Sequence, residues 1–318
     1  MMGKTVAVLL PVHVPGSMFR ELIRRLSRQS HVPEKVIIIN TIDPEKDCTL
    51  FLDSLAEEFE GSFGCIEIYH IQKSEFGHGK TRDMGIRRAG TDLVLCMTQD
   101  ALPKDRHLVE KLEDAFDDPS VAAAYGRQLA GKKSDILERE AREFNYPAGS
   151  KVMSAADLET MGVKTFFCSD VCAMWRVETY EELGGFEKDV IFNEDMIFAG
   201  KLIRAGYRIA YCADAQVYHH HNYGAMKQLR RNFDLGVSQA QHPEIFRMAS
   251  SGKEGIRFVR QTSGDLIRSG RADQLGRFFW QSGCKYLGYQ LGKRYRSLPE
   301  GVISRLTDSP QYWGKPKS

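Results

Sequence analysis

The sequence predicts an α/β protein whose mostly parallel sheet carries helices on both faces. In the first hundred residues, short apolar and β-branched runs alternate with stretches whose apolar residues recur at helical spacing. Several of the apolar runs end in polar or charged residues, and open sheets of this kind bind ligands at that edge. The chain becomes basic and helical in pattern towards its end. We therefore expect an α/β unit at residues 1–224 and a helical region at residues 225–318.

The first hundred residues supply four strands and three helices in strict alternation. The predicted strands are Thr5–Leu10, Val36–Ile39, Ile66–Ile71 and Leu93–Met97. Helical spacing links Phe19, Leu22, Ile23 and Leu26, then Leu52, Leu55 and Phe59, and a third helix is expected over Met84–Ala89. Strands joined by helices pair in parallel, which leaves both faces of the sheet for the helices to cover.

The second half is less regular. Strands are predicted at Val121–Tyr125 and Arg208–Cys212, an extended segment at Thr165–Trp175, and helices at Glu178–Leu183 and Met196–Ala205. After His221 the pattern is helical, with a break near Leu298–Pro299.

The composition excludes several classes of protein. No apolar run approaches the roughly 18 residues that cross a membrane, and the first apolar run is typical of a buried strand rather than of a signal peptide. The seven cysteines form no CxxC pairs, which favours buried free thiols over zinc sites or disulfides. We expect a cytosolic protein.

Charge is distributed unevenly along the chain. Residues 225–318 hold 17 Lys and Arg against 7 Asp and Glu, a net charge of +10, whereas residues 1–224 carry a net charge of −8. The basic region is expected to face a phosphorylated substrate or a membrane surface. Nucleic acid is not expected as a partner, because no nucleic-acid motif accompanies the charge.

Polar side chains with functional potential follow the predicted strands. They are His13 after the first strand, Asn40, Thr41 and Asp43 after the second, and Gln99 and Asp100 after the fourth. The glycines of Gly77-His-Gly79 form neither a phosphate loop nor a dinucleotide fingerprint.

The stretch Val190–Phe198 carries the central triplet Asn193-Glu194-Asp195. Acidic residues at a helix start also serve as ordinary caps. Here, however, a strand-end Asp100 precedes the triplet and His219–His221 follow it at another strand end. On a strand, His219 and His221 share a face and His220 points away. The combination indicates a metal-assisted transferase site, with a metal-free surface turn as the alternative for the histidines.

In family order, seven segments resemble the inverting family-2 glycosyltransferases, and more narrowly the bacterial rhamnosyltransferase branch. They are Phe76–Arg82, Thr98–Pro103, Gly126–Leu129, Phe144–Pro147, Asn193–Met196, Gly206-Tyr207 and Val217–Tyr223. The resemblance implies a GT-A fold over residues 5–235. It also implies Asp195 as the catalytic base and Asp43 as a contact of the nucleotide base, although Asp43 before Pro44 also fits a plain turn.

The same resemblance implies a bound Mg²⁺ or Mn²⁺. Asp100 occupies the last place of the family's DxD-like signature, but Thr98 and Gln99 stand where other members have Asp. Asp100 is therefore left as the main carboxylate on the metal, with His219 and His221 as imidazole ligands. One carboxylate with imidazole and diphosphate oxygens can hold such an ion.

Further side chains are expected to contact substrate. Lys80 and Arg82 border the donor in this family, although Asp83 replaces the usual Asn. Arg127 lies in a matching segment, and Glu194 is expected to orient the loop or to contact acceptor. Arg231 belongs to a Gln-x-x-Arg pattern, with solvation of a helix face as the alternative.

The expected reaction is inverting transfer of a sugar from a nucleotide sugar to a glycan or lipid-linked oligosaccharide in bacterial surface polysaccharide synthesis. The branch implies dTDP-L-rhamnose first and UDP-linked hexoses second. Two carboxylates flanking one bond also occur in glycoside hydrolases, and a non-catalytic sugar-nucleotide- or glycan-binding protein is a further alternative.

Aromatic and basic residues interleave near the C-terminus, at Arg277–Trp280, Lys285-Tyr286 and Lys293–Arg296. Such a pattern fits peripheral contact with the inner face of the plasma membrane. Packing on the core or on a second subunit of a homodimer is the alternative.

Overall fold

The computed structural model describes residues 3–249 and 252–314 and is built on a nine-stranded mixed sheet. Its strands are β1 (Val6–His13), β2 (Lys35–Thr41), β3 (Cys65–Ile71), β4 (Leu93–Met97), β5 (Leu102–Pro103), β6 (Val121–Leu129), β7 (Lys151–Met153), β8 (Cys172–Arg176) and β9 (Arg208–Tyr218). They are arranged in the order β3-β2-β1-β4-β8-β6-β9-β5, with β7 paired to β9. Only β5, β7 and β8 of these strands run against the others, so the predicted mostly parallel sheet is confirmed.

Helices surround this sheet and continue beyond it. Those before the last strand are α1 (Ser17–Leu26), α2 (Thr49–Glu58), α3 (His78–Ile86), α4 (Leu108–Glu113), α5 (Ile136–Asn145), α6 (Leu158–Met161), α7 (Val177–Glu182) and α8 (Glu194–Arg204). The C-terminal helices are α9 (Ala225–Gln241), α10 (Pro243–Phe246), α11 (Gly252–Arg268), α12 (Leu275–Lys293), α13 (Glu300–Leu306) and α14 (Pro310–Trp313).

The two faces of the sheet bury separate cores. Successive strand residues point to opposite faces, so Val8 joins the core under α1 and α2 while Leu9 joins the core under α3 and α8. Leu22 and Ile86 belong to the first and second of these cores, respectively. With one core on each face, the sheet is held between two layers of helices, and the strand ends are left at its edges.

The strand directions bring the predicted functional segments to one edge. His13 pairs with Thr41 where β1 and β2 end, and β4 runs parallel to β1. Because β8 separates β4 from β6 by two antiparallel pairings, β6 and β9 point the same way as β4. The ends of β4 and β9 therefore meet at the edge where Asp100 and His219 follow them.

The C-terminal helices α9 and α12 pack with their backbones in close approach. A Cβ added at Gly288 would lie 2.1 Å from the carbonyl oxygen of Leu229, and one at Gly292 would lie 2.0 Å from that of Phe233. Phe233 also packs in a cluster with Ile191, just before α8. The helical pattern after His221 is thus confirmed, whereas the boundary at residue 224 stays a prediction.

Several predicted elements differ in extent. Helix α3 begins at His78 rather than Met84. Its first turns bury the polar residues Thr81 and Arg82, so the apolar periodicity that predicts a helix is missing there. The expected extended segment from Thr165 is wrong in its first part, since a 3₁₀ turn covers Gly162–Phe166. Strands β6 and β9 continue past their predicted ends to Leu129 and Tyr218.

The cysteines are all free thiols. Cys96, Cys168, Cys172 and Cys284 are buried as expected, but Cys65 is exposed. Within residues 3–249 and 252–314, no helix combines the length and the apolar character that crossing a membrane requires.

Candidate metal centre and active site

Asp100, His219 and His221 converge at the sheet edge. One ligand atom from each of the three lies within 4.8 Å of the others. Asp100 Oδ1 is 3.6 Å from His219 Nε2, and Asp100 Oδ2 is 3.4 Å from His221 Nε2. The structure therefore brings the three predicted metal ligands together.

Gln128, at the end of β6, fixes the orientation of His219. Its Oε1 accepts a hydrogen bond from His219 Nδ1 at 3.0 Å, and it also accepts from Arg142. Burial, with the Arg142 charge nearby, lowers the pKa of His219 to about 2, so the ring is neutral at physiological pH. The proton on Nδ1 leaves the Nε2 lone pair directed towards Asp100.

This donor set fits a divalent cation. Burial also lowers the pKa of His221, which favours the neutral ring. Both imidazoles therefore face the Asp100 carboxylate with a lone pair that can bind a metal, instead of forming an ion pair with it. His220 turns the other way: a Cβ added at Gly131 would lie 2.6 Å from its ring. The expectation that His219 and His221 share a face and His220 points away is confirmed.

A stack of side chains extends from His221 to α9. The rings of His221 and Tyr223 stack at 4.9 Å with an interplanar angle of 16°. The guanidinium carbon of Arg231 lies 5.0 Å from the Tyr223 ring centre and 5.2 Å from that of Phe192. Arg231 therefore packs on aromatic rings beside the cluster instead of only solvating a helix face.

The predicted base Asp195 lies in the first turn of α8. Its Oδ1 accepts from its neighbour's backbone, the N–H of Met196, at 2.7 Å, and its Oδ2 accepts from the N–H of Asp170 at 3.2 Å. Asn193 precedes the helix with φ of 66°, a left-handed conformation that Asn tolerates better than most residues. Burial, together with the Glu194 and Asp170 carboxylates, raises the pKa of Asp195 well above its ordinary value.

Behind the base lies a buried ionic cluster centred on Arg82. Its Nη1 donates to Glu194 Oε1 at 2.8 Å, and its Nε lies 3.2 Å from Asp170 Oδ2. Trp175 Nε1 donates to the other oxygen of Asp170 at 2.9 Å. Arg82 is 7% exposed, so the structure places it in this cluster, and its expected donor contact stays a prediction.

Sequence reasoning missed Asp170. The residue precedes β8, and β8 is antiparallel to β4, so its start rather than its end lies at the functional edge. A search for polar residues after strands passes over this position. Gln128 lies inside β6, beyond the end predicted for that strand at Tyr125, so its contact with His219 could not be predicted either.

The loops after β1, β2 and β4 form the side predicted for the nucleotide. Gln99 joins the first and last of these loops, because its side chain accepts from His13 N–H at 2.8 Å and donates to His13 O at 3.1 Å. Asp43 Oδ2 is 3.3 Å from His13 Nε2, and its Oδ1 accepts from the N–H of Glu45. Asp43 therefore forms a turn and also presents a carboxylate oxygen to His13. This position is compatible with a plain turn and with a contact to the nucleotide base.

Asn40 and Thr41, expected to follow the second strand, are instead the last two residues of β2, because the strand extends past its predicted end at Ile39. Asn40 and Thr41 are buried, and Asn40 Nδ2 lies 3.1 Å from His70 Nδ1. Arg127, in β6, donates through Nε to the carbonyl of Tyr146 at 3.0 Å and borders a cavity that also reaches Asp100.

Lys80 lies apart from this constellation. It is exposed at the start of α3 and lines a separate cavity of about 300 Å³ with Ile71 and Lys188. Asp83, in place of the usual Asn, accepts from Tyr180 Oη at 3.0 Å and from Arg87 Nε at 3.0 Å. The unusual Asp is therefore satisfied by local ion pairing.

Comparison with known proteins adds to this geometry. The model of the glycosyltransferase like family 2 matches residues 4–233. The chain is 36% identical to the O-antigen chain rhamnosyltransferase RfbN of Salmonella typhimurium, over 97% of this chain and 96% of that protein. It is 34% identical to the O-antigen chain rhamnosyltransferase WbaN of Salmonella anatum, over 96% and 95% respectively.

Solved structures share the fold. The mannosyltransferase PcManGT of Pyrobaculum calidifontis, in complex with GDP-Man and Mn²⁺, superposes with a TM-score of 0.62 at 15% identity, covering 93% of this chain and 89% of that one. The TarS fragment of S. aureus with UDP-GlcNAc gives a TM-score of 0.53 at 14% identity, covering 92% and 91%. The predicted GT-A fold is confirmed, and the chain belongs to glycosyltransferase family 2.

Proposed function

We propose that this enzyme transfers L-rhamnose from dTDP-L-rhamnose to a hydroxyl of a lipid-linked glycan, with inversion, during synthesis of a bacterial surface polysaccharide. The observation that carries the choice of sugar is the similarity, over nearly the whole length of both chains, to two O-antigen chain rhamnosyltransferases. The site supports the chemistry, because candidate metal ligands and a candidate base lie at the same edge of the sheet.

Asp100, His219 and His221 would hold the divalent ion. When bound, a Mg²⁺ or Mn²⁺ supplies positive charge opposite the diphosphate leaving group. The two imidazoles favour Mn²⁺ over Mg²⁺, which binds oxygen ligands almost exclusively. Arg231, held on the rings of Tyr223 and Phe192, adds a fixed cation beside the cluster.

Asp195 is the proposed base. A carboxylate with a raised pKa is a stronger proton acceptor than an exposed Asp, and the acceptor hydroxyl loses its proton as it attacks. Glu194 is ion-paired with buried Arg82, so it does not offer a second free carboxylate. A hydrolase with two free carboxylates is accordingly disfavoured.

The nucleotide is assigned to the loops that carry His13, Asp43 and Gln99. Asp43 would contact the base of the nucleotide, and the two hydrogen bonds of Gln99 hold the neighbouring loop in place. Asn40 and Thr41 are buried at the end of β2, which leads into the loop that carries Asp43. Lys80 makes no contact within residues 3–249 and 252–314 that supports a donor role.

A panel of nucleotide sugars tests the donor. With Mn²⁺ present, dTDP-L-rhamnose should raise the melting temperature more than UDP-glucose, UDP-GlcNAc or GDP-mannose, because tight ligands stabilise the folded state by mass action. Adding lipid-linked glycan should then release dTDP. A shift with UDP-hexoses alone would replace the proposed donor, and binding without any release of nucleotide would favour a non-catalytic binding protein.

We further propose that the enzyme works in the cytosol at the inner face of the plasma membrane. Helix α12 supports this placement, because Phe279 and Trp280 are 52% and 66% exposed while Tyr286 and Leu287 extend the same face two turns later. Exposed Lys293 follows at the end of this helix. An apolar stripe flanked by cations fits the interface of an anionic membrane.

A further inference from the structure

A cavity of about 620 Å³ opens beside the proposed metal centre. Asp100 borders it on one side, and Gln128 and Tyr146 form its inner wall. Met18 and Tyr218, at its rim, are 50% and 37% exposed, which gives the cavity an apolar surface that no described part of the chain covers.

Five cationic side chains line this cavity. Arg25 and Arg142 are neutralised by Glu21 and Glu138, at 2.7 Å in each case. The other three are Arg127, Lys132 and Arg139. Across residues 3–249 and 252–314, no carboxylate lies within 4.0 Å of the charged groups of these three.

Hydrogen bonds hold two of these three cations without neutralising them. Arg127 Nε donates to the Tyr146 carbonyl at 3.0 Å, and Arg139 Nε donates to the Ser134 carbonyl at 3.2 Å. The cavity also carries the carboxylates of Asp100 and Glu143. Because Asp100 is assigned to the metal, the remaining charge of the wall is positive.

The position of the cavity indicates the acceptor rather than the donor. The nucleotide-side residues His13, Asp43 and Gln99 do not line it. On its inner wall, Gln128 Nε2 donates to Ser169 Oγ at 3.2 Å, and the N–H of the next residue, Asp170, is bonded to the base Asp195. The cavity wall is therefore linked to the candidate base through Ser169 and Asp170, whereas the nucleotide loops take no part in its lining.

We propose that this cavity binds the acceptor and that Arg127, Lys132 and Arg139 bind a diphosphate attached to the acceptor sugar. A neutral glycan leaves three cations without counter-charge, whereas a diphosphate between sugar and lipid supplies one negative charge on each phosphate and several acceptor oxygens. The apolar rim at Met18 and Tyr218 then meets the start of the lipid chain. This inference rests on the proposed transfer to a lipid-linked acceptor and names the group that the enzyme recognises on it.

Decyl diphosphate tests the inference without requiring rhamnose transfer. Its binding is measured by calorimetry below its critical micelle concentration, with the donor site kept saturated by dTDP and Mg²⁺. Wild-type enzyme should bind it, and the double variant Lys132→Gln/Arg139→Gln should bind about tenfold or more weakly, because charge-assisted hydrogen bonds are lost. Lys133→Gln, an exposed neighbour outside the cavity lining, is the matched control and should bind like wild type.

Three results would overturn the inference. Decyl maltoside, which is neutral, would bind as tightly as decyl diphosphate; the double variant would match wild type; or the probe would bind only when dTDP and Mg²⁺ are left out, which would place it in the donor site. A wrong donor assignment gives a different result: the probe still binds in the cavity, while dTDP-L-rhamnose fails to raise the melting temperature.

Discussion

At the scale of single residues, Asp195 is set apart from the other carboxylates by its surroundings. Two backbone N–H groups fix its oxygens, and buried Arg82 forms ion pairs with both Glu194 and Asp170 beside it. The N–H groups keep the carboxylate in one orientation, while burial and the neighbouring carboxylates keep its pKa raised, and a general base requires both properties.

Asp195→Asn tests this role. Asn has nearly the same size and keeps one of the two acceptor oxygens, but it cannot take a proton. Transfer should fall by at least about 10²-fold, whereas the affinity for dTDP measured by calorimetry should hardly change. Near-normal release of dTDP from the donor would place the base elsewhere, with Glu194 examined first.

Asp170→Asn tests the electrostatics of the cluster. Below its raised pKa the base is protonated and inactive, so activity is lost as the pH falls through that value. Removing the Asp170 charge removes one of the causes that raise the pKa of Asp195, and Asn still accepts from Trp175 Nε1. The acidic limb of the kcat profile should therefore move to lower pH. An unchanged limb, with the melting temperature preserved, would show that Asp170 does not act on the base.

Residues differ in how well the sequence predicts them. The candidates Asp100, Asp195, His219 and His221 could be found because they end strands or begin a helix. Asp170 could not, because it depends on the antiparallel direction of β8, and strand direction is a property of the whole sheet. The burial of Arg82 could not be predicted either, because the sequence around an Arg in a polar segment does not indicate its tertiary contacts.

At the scale of elements, the close contact between α9 and α12 depends on missing side chains. Gly288 and Gly292 let the α12 backbone approach the carbonyl oxygens of α9, and Gly236 does the same from the other helix, where an added Cβ would lie 2.4 Å from the Tyr289 carbonyl. The sequence pattern predicted a helical region after His221 but not this contact, because glycine carries no hydrophobic signal.

Gly288→Ala should lower the free energy of unfolding by about 2 kcal/mol, because the new methyl group overlaps a carbonyl oxygen that is part of a helix backbone. Gly283→Ala, in the same helix with nothing within 4 Å of its added Cβ, is the matched control. It should raise stability by up to about 1 kcal/mol through helix propensity. Equal urea midpoints for the two variants would contradict the packing described here.

At the scale of the whole molecule, the α/β part and the C-terminal region carry opposite net charge, −8 and +10. Two of the basic residues, Lys315 and Lys317, lie outside the residues that the structure describes. The sequence predicted which region is basic and aromatic, but not which rings face outwards. Phe278 is buried, whereas Phe279 and Trp280 are exposed.

Liposome sedimentation tests the membrane placement. The protein should sediment with anionic liposomes at low salt and be largely released by about 0.5 M salt, where the Debye length is only a few ångströms. Reversing the charges of Lys293, Arg294 and Arg296 should weaken binding, since each cation near an anionic surface contributes about 1 kcal/mol, and should leave dTDP affinity unchanged. Equal sedimentation with neutral liposomes, or a stable dimer that covers α12 in the ultracentrifuge, would instead favour a subunit contact.

The central claim is that Asp100, His219 and His221 hold the divalent ion to which the nucleotide-sugar diphosphate binds. The most direct measurement is the affinity for dTDP with Mn²⁺ and with EDTA, in wild type, His219→Ala and the adjacent control His220→Ala. We predict that EDTA and His219→Ala each reduce affinity by at least about tenfold, while His220→Ala keeps the Mn²⁺-dependent affinity of wild type. Equal affinity in EDTA, or an equal loss in both His variants, would contradict the account and leave the histidines as a structural turn.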